Sequence, residues 1–192
     1  MESLEEILIH VARFLEDSKR KDPRLKGYAL IGALAVSAHG RPRATQDIDI
    51  LISADQFYFT QSLSQLADQL GGRCEIRKSN PADPIGDTAR IYDRHGNAMV
   101  DFLKARWKWE EEMILAAERV AYEGKVNIPV AGREDLLVLK LRAGSPQDLV
   151  DATELLKVIS PRKLDQARLA KMAKRAHVDK ALTKLLKKSL NQ

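Results

Sequence analysis

Apolar positions recur with helical spacing at the start of the chain. Leu4, Ile7, Leu8, Val11, Phe14 and Leu15 fall on one stripe, with Glu5, Glu6 and Arg13 elsewhere, which predicts a scaffold helix over residues 2–16 covering one side of a sheet. The polar stretch DSKRKDPRLKG leads into a short apolar strand ending at Gly32. Ala33 to His39 predicts a helix that His39-Gly40 caps and Pro42 terminates. The period then changes to two. Asp47 and Asp49 alternate with Ile48 and Ile50, ahead of Leu51 and Ile52, so both carboxylates point to one face of a strand, about 7 Å apart.

Ser53 or Asp55 is positioned to cap a helix reaching about Leu70, with Phe57, Leu63, Leu66 and Leu70 inward and Gly71-Gly72 as its stop. Strands are expected at about 73–78, 88–93 and 98–104. They are separated by Asn80-Pro81, Asp83-Pro84 and Arg94-His95-Gly96-Asn97, and the last two form a hairpin. A helix over 107–117 follows, opening on Trp107 and Trp109, which serve as packing or as a stacking surface for a base. A small hairpin turning at Gly124-Lys125 (118–131) and a helix over 134–143 come next. The expectation is an α/β (α+β) fold: a mixed sheet flanked by helices, with residues 1–132 as one domain and 133–192 as a helical, basic region packed on it.

The 192 residues suffice for one sizeable core, and 44% hydrophobic with 31% charged residues describes an ordinary globular chain. The longest apolar stretch, Tyr28 to Ala38, is too short to span a bilayer. The opening MESLEEILIH carries no charged-then-apolar leader. The lone Cys74 offers neither an internal disulfide nor a Cys-based zinc site. A cytoplasmic protein without membrane contact is expected.

Charge is uneven along the chain. Residues 161–192 hold ten Lys or Arg against two Asp, a segment charge of +8 that leaves −3 for the rest of a total of +5. Such asymmetry suits electrostatic contact with nucleic acid, for example an acceptor RNA. It also suits two amphipathic helices with Leu164, Leu169, Met172, Ala176, Leu182, Leu185 and Leu186 inward and the basic residues solvated.

Candidate chemistry centres on residues 28–52. Carboxylates on a strand flanked by Ile48, Ile50, Leu51 and Ile52 require a counter-charge or a metal. A hard divalent cation such as Mg²⁺ takes oxygen ligands and leaves positions open for phosphate oxygens. The Gly32-Ala33 step at the end of an apolar strand keeps the backbone open to close approach by a phosphate. Arg41 and Arg43 lie in the loop entering the Asp strand, placed for a triphosphate, for neighbouring carboxylates or for water. Asp101 interrupts the apolar strand Met99-Val100-Asp101-Phe102-Leu103, where an unpaired charge is costly. Asp93 competes with it but sits at a turn.

Gly32-Ala33, thirteen residues, then Asp47-Ile48-Asp49 resembles the motif of the DNA polymerase beta-like nucleotidyltransferase superfamily: Gly followed by Gly or Ser, a helix, then an Asp-x-Asp strand. With Ala35-Val36, Gly40, Arg41, Arg43 and Thr45 it is most similar to small bacterial abortive-infection-type nucleotidyltransferases of toxin–antitoxin systems. Ala33 stands where that family has Gly or Ser. The resemblance implies a third acid from a later strand, which Asp101 supplies, and a cleft-facing Lys on the helix over 134–143, which Lys140 supplies. Lys140 is a candidate for the triphosphate, its alternative being a snorkelling surface lysine; Asp148 has three roles open to it, capping its own helix, pairing with Lys140 or catalysis.

The implied activity is Mg²⁺-dependent transfer of a nucleoside monophosphate from an NTP to an acceptor hydroxyl. Asp47, Asp49 and Asp101 serve as catalytic residues and as ligands of two ions, with Mn²⁺ a possible substitute. Gly32, Ala33, Arg43 and Lys140 bind the nucleotide. An RNA or tRNA end is the first choice of acceptor, ahead of a protein side chain and a small molecule, and an antitoxin protein is a further partner. The alternative is a catalytically degenerate binding module of the same fold. Ala33 favours it, and the intact Asp47, Asp49 and Asp101 favour the enzyme.

Overall fold

A computed structural model describes residues 3–40, 45–158 and 164–190. Ser3 opens α1 (Leu4–Lys21) with a capping box: the Glu6 amide donates to the Ser3 hydroxyl at 3.2 Å and the Ser3 amide to the Glu6 carboxylate at 2.8 Å, satisfying two amides that a helix start leaves free. The predicted stripe buries Leu8, Val11 and Leu15 against the sheet.

Seven strands form one mixed sheet: β1 (Leu25–Leu30), β2 (Ile48–Ala54), β3 (Arg73–Arg77), β4 (Thr88–Tyr92), β5 (Ala98–Lys104), β6 (Glu118–Tyr122) and β7 (Val126–Val130). Their order is β3-β4-β5-β2-β1-β7-β6. The pairs β2/β5 and β1/β7 are parallel, and the others are antiparallel. Strand β2 is therefore central, and its Ile48, Ile50, Leu51 and Ile52 are buried. Asp47 lies in a bend just ahead of β2 rather than in the ladder.

Faces follow from register. Tyr28 donates to Glu16 of α1 at 2.9 Å, so Tyr28 and its cross-strand partner Ile52 look toward α1. The intervening positions look the other way, where Gly27 meets Ile114 of α4 (Lys108–Ala116) and Ser53 bonds Glu111. Asp49 and Asp101 belong to this second face.

Helix α2 (Gly32–Ala38) follows β1, and Gly40 takes a φ of +94° past its end. The segment after β2 departs from expectation. Asp55 caps it through the Tyr58 amide at 2.8 Å, but a π-helical turn (Tyr58–Ser62) precedes α3 (Leu63–Gln69). The wider turn shifts the phase of the residues before Leu63. Phe57, expected inward, is 55% exposed with Arg24 stacked 4.5 Å from its ring, while Tyr58 and Phe59 fill the core. Trp109 is buried and Trp107 half-exposed beneath Arg106.

Helices α5 (Arg133–Ala143), α6 (Pro146–Val158), α7 (Gln166–Arg175) and α8 (Asp179–Leu190) complete the chain. The core runs without a break from α1 through the sheet to Leu137, Leu156, Leu169, Met172 and Leu182. Asp135, 1% exposed, receives Arg168 of α7 on both oxygens at 2.9 and 2.7 Å. Lys171, Lys174, Lys180 and Lys184 point to solvent. Among the described residues no helix is long and apolar enough to cross a membrane.

Candidate active site

The parallel ladder sets Asp49 directly beside Asp101, and the bend before β2 brings in Asp47. Carboxylate oxygens of Asp47, Asp49 and Asp101 all lie within 4.8 Å of one another. Each has a distinct environment. Thr45 donates to Asp47 at 2.8 Å. Arg90, opposite Asp101 in the β4/β5 ladder, donates to both Asp101 oxygens, which raises the guanidinium's own pKa. At Asp49 burial, with the charges of Asp47 and Asp101, pushes the carboxyl up to about 6 against the pull of Lys140 and Arg90.

Gly32 sits against this centre. Its φ is +66°, and a Cβ there would lie 1.8 Å from Asp49 Oδ2. The glycine is thus required twice, by backbone conformation and by the carboxylate at its side. Ala33 is buried beside it. Arg43, with Arg41 and Pro42, lies outside the described residues. The His39 ring bonds the Ala131 carbonyl at 2.8 Å and takes no part in the acidic centre.

Lys140 on α5 reaches the same cleft. A cavity of about 120 Å³ is lined by Gly32, Asp49, Lys140, Asp148 and the buried Glu110. Lys140 Nζ contacts Asp148 at 2.9 Å and Asp151 at 3.0 Å. Burial acts to lower its pKa, and the two carboxylates outweigh that and hold it above the ordinary value. Asp148 itself accepts from the Ser145 hydroxyl at 2.6 Å. Two of the sequence roles for Asp148, capping and pairing with Lys140, are therefore realised. Glu110 accepts from the amides of Arg106 and Trp107 at 2.6 and 2.9 Å.

A second cleft, of about 520 Å³, opens from Asp49 and Asp101 across β4 and β3, lined by Arg90, Thr88, Tyr92, Glu75 and Arg77. A larger concavity, about 1200 Å³ between α1 and the π-helical turn, holds none of the three acids. Arg90 and Asp151 escaped the sequence reading. The signal for Arg90 was present: the hairpin turn at 94–97 sets Arg90 against Asp101.

Asp49 on the central strand β2, Asp101 on the neighbouring β5 and Asp47 just ahead of β2 thus cluster beside the Gly32 turn and Lys140, in a mixed sheet flanked by helices. The fold is similar to that of ANT(2″)-Ia, solved in complex with adenylyl-2″-tobramycin, with a TM-score of 0.51 at 15% identity over 88% of this chain and 98% of that one. An antigenic nucleotidyltransferase-like protein from Paracoccidioides brasiliensis gives 0.48 at 19% identity, covering 96% and 92%. JHP933 from Helicobacter pylori gives 0.45 at 16%, covering 91% and 78%. No curated protein matches the chain. The family model for the nucleotidyl transferase AbiEii toxin of type IV toxin–antitoxin systems matches residues 13–191, and the chain belongs to that family.

Proposed function

We propose that this protein is a cytoplasmic toxin of a toxin–antitoxin system that moves a nucleoside monophosphate from an NTP to an acceptor hydroxyl, with an RNA or tRNA end as acceptor and an antitoxin as partner. Residues 1–132 form its catalytic domain, and the basic region 133–192 packs on that domain. The observation that carries the reading is the convergence of Asp47, Asp49 and Asp101 within 4.8 Å. Burial first, and then the charges of Asp47 and Asp101, raise Asp49, and an oxygen-only donor set suits Mg²⁺ or Mn²⁺. When bound, two such ions supply charge neutralisation on the triphosphate and acidify the acceptor hydroxyl.

The chain's own residues do the rest. Asp47 and Asp49 would hold an ion on the nucleotide side, and all three acids would hold one on the acceptor side. Arg90, donating to both oxygens of Asp101, holds that carboxylate in place beside Asp49. The acceptor hydroxyl gives its proton to water as its oxygen bonds to the α-phosphorus and the bond to the pyrophosphate oxygen breaks. Lys140 and Arg43 meet the charge on the departing phosphates. Gly32 keeps the backbone flush with Asp49, so that positioning does what a covalent nucleophile does elsewhere.

The test is transfer of label from each α-labelled NTP, with Mg²⁺, into total RNA and total protein, comparing wild type with Asp49→Asn. Label entering RNA only with the intact acid supports the reading, and label in protein alone moves the acceptor class. Ala33, buried and without a hydroxyl, favours the second reading, a binding module that has lost catalysis. Binding of NTP without transfer to RNA, protein or small hydroxyl compounds would select it.

A further inference from the structure

We propose that the uncovered face of β3, β4 and β5 is the track along which a single-stranded RNA acceptor reaches Asp101. The inference rests on the nucleotidyl-transfer reading above and assigns the acceptor to this face rather than to the basic helices α7 and α8.

The face is defined by register. Arg73, Glu75 and Arg77 stand opposite Tyr92, Arg90 and Thr88, and Arg90 in turn stands opposite Asp101. The alternate residues Ala89 and Ile91 are buried and α3 packs on β3 and β4, so these side chains project to the other side. On that same side α4 covers β1 and β2, and the cleft that starts at Asp49 and Asp101 continues outward over Thr88, Arg90, Tyr92 and Arg77. Arg73, Arg77 and Arg90 are exposed.

Two features favour a single strand of nucleic acid over a peptide. The first is charge: three guanidiniums line the approach to a centre whose own acids call for cations, and planar guanidiniums match phosphate oxygens. The second is a π surface. Arg73 lies 4.5 Å from the Tyr92 ring, which makes a cation–aromatic plate of the kind on which unpaired bases stack. From β3 to Asp101 is two strand spacings, roughly 10 Å. A strand lying across Arg77 and Tyr92 therefore brings its terminal hydroxyl to the acids without crossing a helix. Arg73 bonds Glu75, and Arg77 reaches Asp83 at 3.2 Å. These exposed pairs are weak, and a phosphate competes with each for its arginine.

The experiment measures binding apart from chemistry. A fluorescein-labelled, mixed-sequence single-stranded RNA oligonucleotide with a free terminal hydroxyl is titrated by anisotropy against the full chain, as wild type, as the double variant Arg73→Gln/Arg77→Gln, and as Lys180→Gln/Lys184→Gln. Thermal melts check folding, and NTP binding is followed in parallel. The arginine variant is expected to bind RNA at least tenfold more weakly, with a salt dependence shallower by roughly two in the log–log slope and NTP binding unchanged. Full RNA affinity in the arginine variant, with loss in the lysine variant, would place the acceptor on α8 and overturn the inference. So would a wild-type chain that binds NTP and transfers label only to protein. Failure to bind NTP at all would instead sink the nucleotidyl-transfer reading.

Discussion

Asp49 is held where its charge is least welcome. Its carboxyl rises from 3.8 to about 6, so between those values the folded protein holds a proton that the unfolded chain releases. Stability of the metal-free protein therefore falls as pH rises from about 4 to about 6 and levels off above, a difference of up to about 3 kcal/mol. Asp49→Asn removes that dependence. In chelator at pH 7 the variant is expected to melt several degrees above wild type, while label transfer drops at least 10³-fold. Added Mg²⁺ is expected to raise the wild-type midpoint and leave the variant's unmoved, and an equal response of both would exclude Asp49 as a ligand. Gly32 is the second sensitive point. Gly32→Ala drives a methyl into Asp49 and strains a left-handed residue, for an expected stability loss of about 1–3 kcal/mol and a transfer rate down at least 10²-fold. Gly40→Ala, at φ +94° with nothing within 4 Å, meets the backbone strain alone, and melts and initial rates on the pair separate the two effects. These residues were legible because a two-residue period and a glycine at a strand end leave marks in the sequence. Asp151 was not, because a carboxylate one turn after Asp148 on a helix has nothing local to say that Lys140 lies between them.

At the scale of elements, the bond between α5 and α7 is the sharpest test. Asp135 has its charge almost wholly removed from water, and burial raises its pKa against the pull of Arg168. Arg168→Ala strands that charge and is expected to cost about 3 kcal/mol, whereas Asp135→Asn with Arg168→Gln recovers much of the loss. Denaturant melts of the two variants decide it, and equal stabilities would mean that the pair holds little. Helices and hairpins followed their sequence patterns closely because periodicity and turn residues are local. The π-helical turn was missed because one extra residue in a turn is dictated by how Tyr58 and Phe59 seat in the core, and Phe57 was placed on the wrong side in consequence.

Across the whole molecule, the two proposed regions share one core. Cutting the chain after residue 158 removes α7 and α8, which pack on α5 and carry Leu169, Met172 and Leu182 into the common core, so the shortened protein is expected to lose its cooperative melt; circular dichroism against temperature reads this directly. Nothing local orders the edges of the sheet or sets β7 beside β1; the resemblance alone implied that the later strand carrying Asp101 neighbours β2. That neighbour relation governs when the protein can act. Asp49 and Asp101 meet through a parallel pairing that skips over β3 and β4, the kind of long-range closure that slows folding, and Lys140 joins from further on still. A ribosome that has delivered the first two acids has delivered only a fragment. The acidic centre assembles only after β5 has emerged, so chains abandoned before that point are expected to be harmless to the cell that makes them.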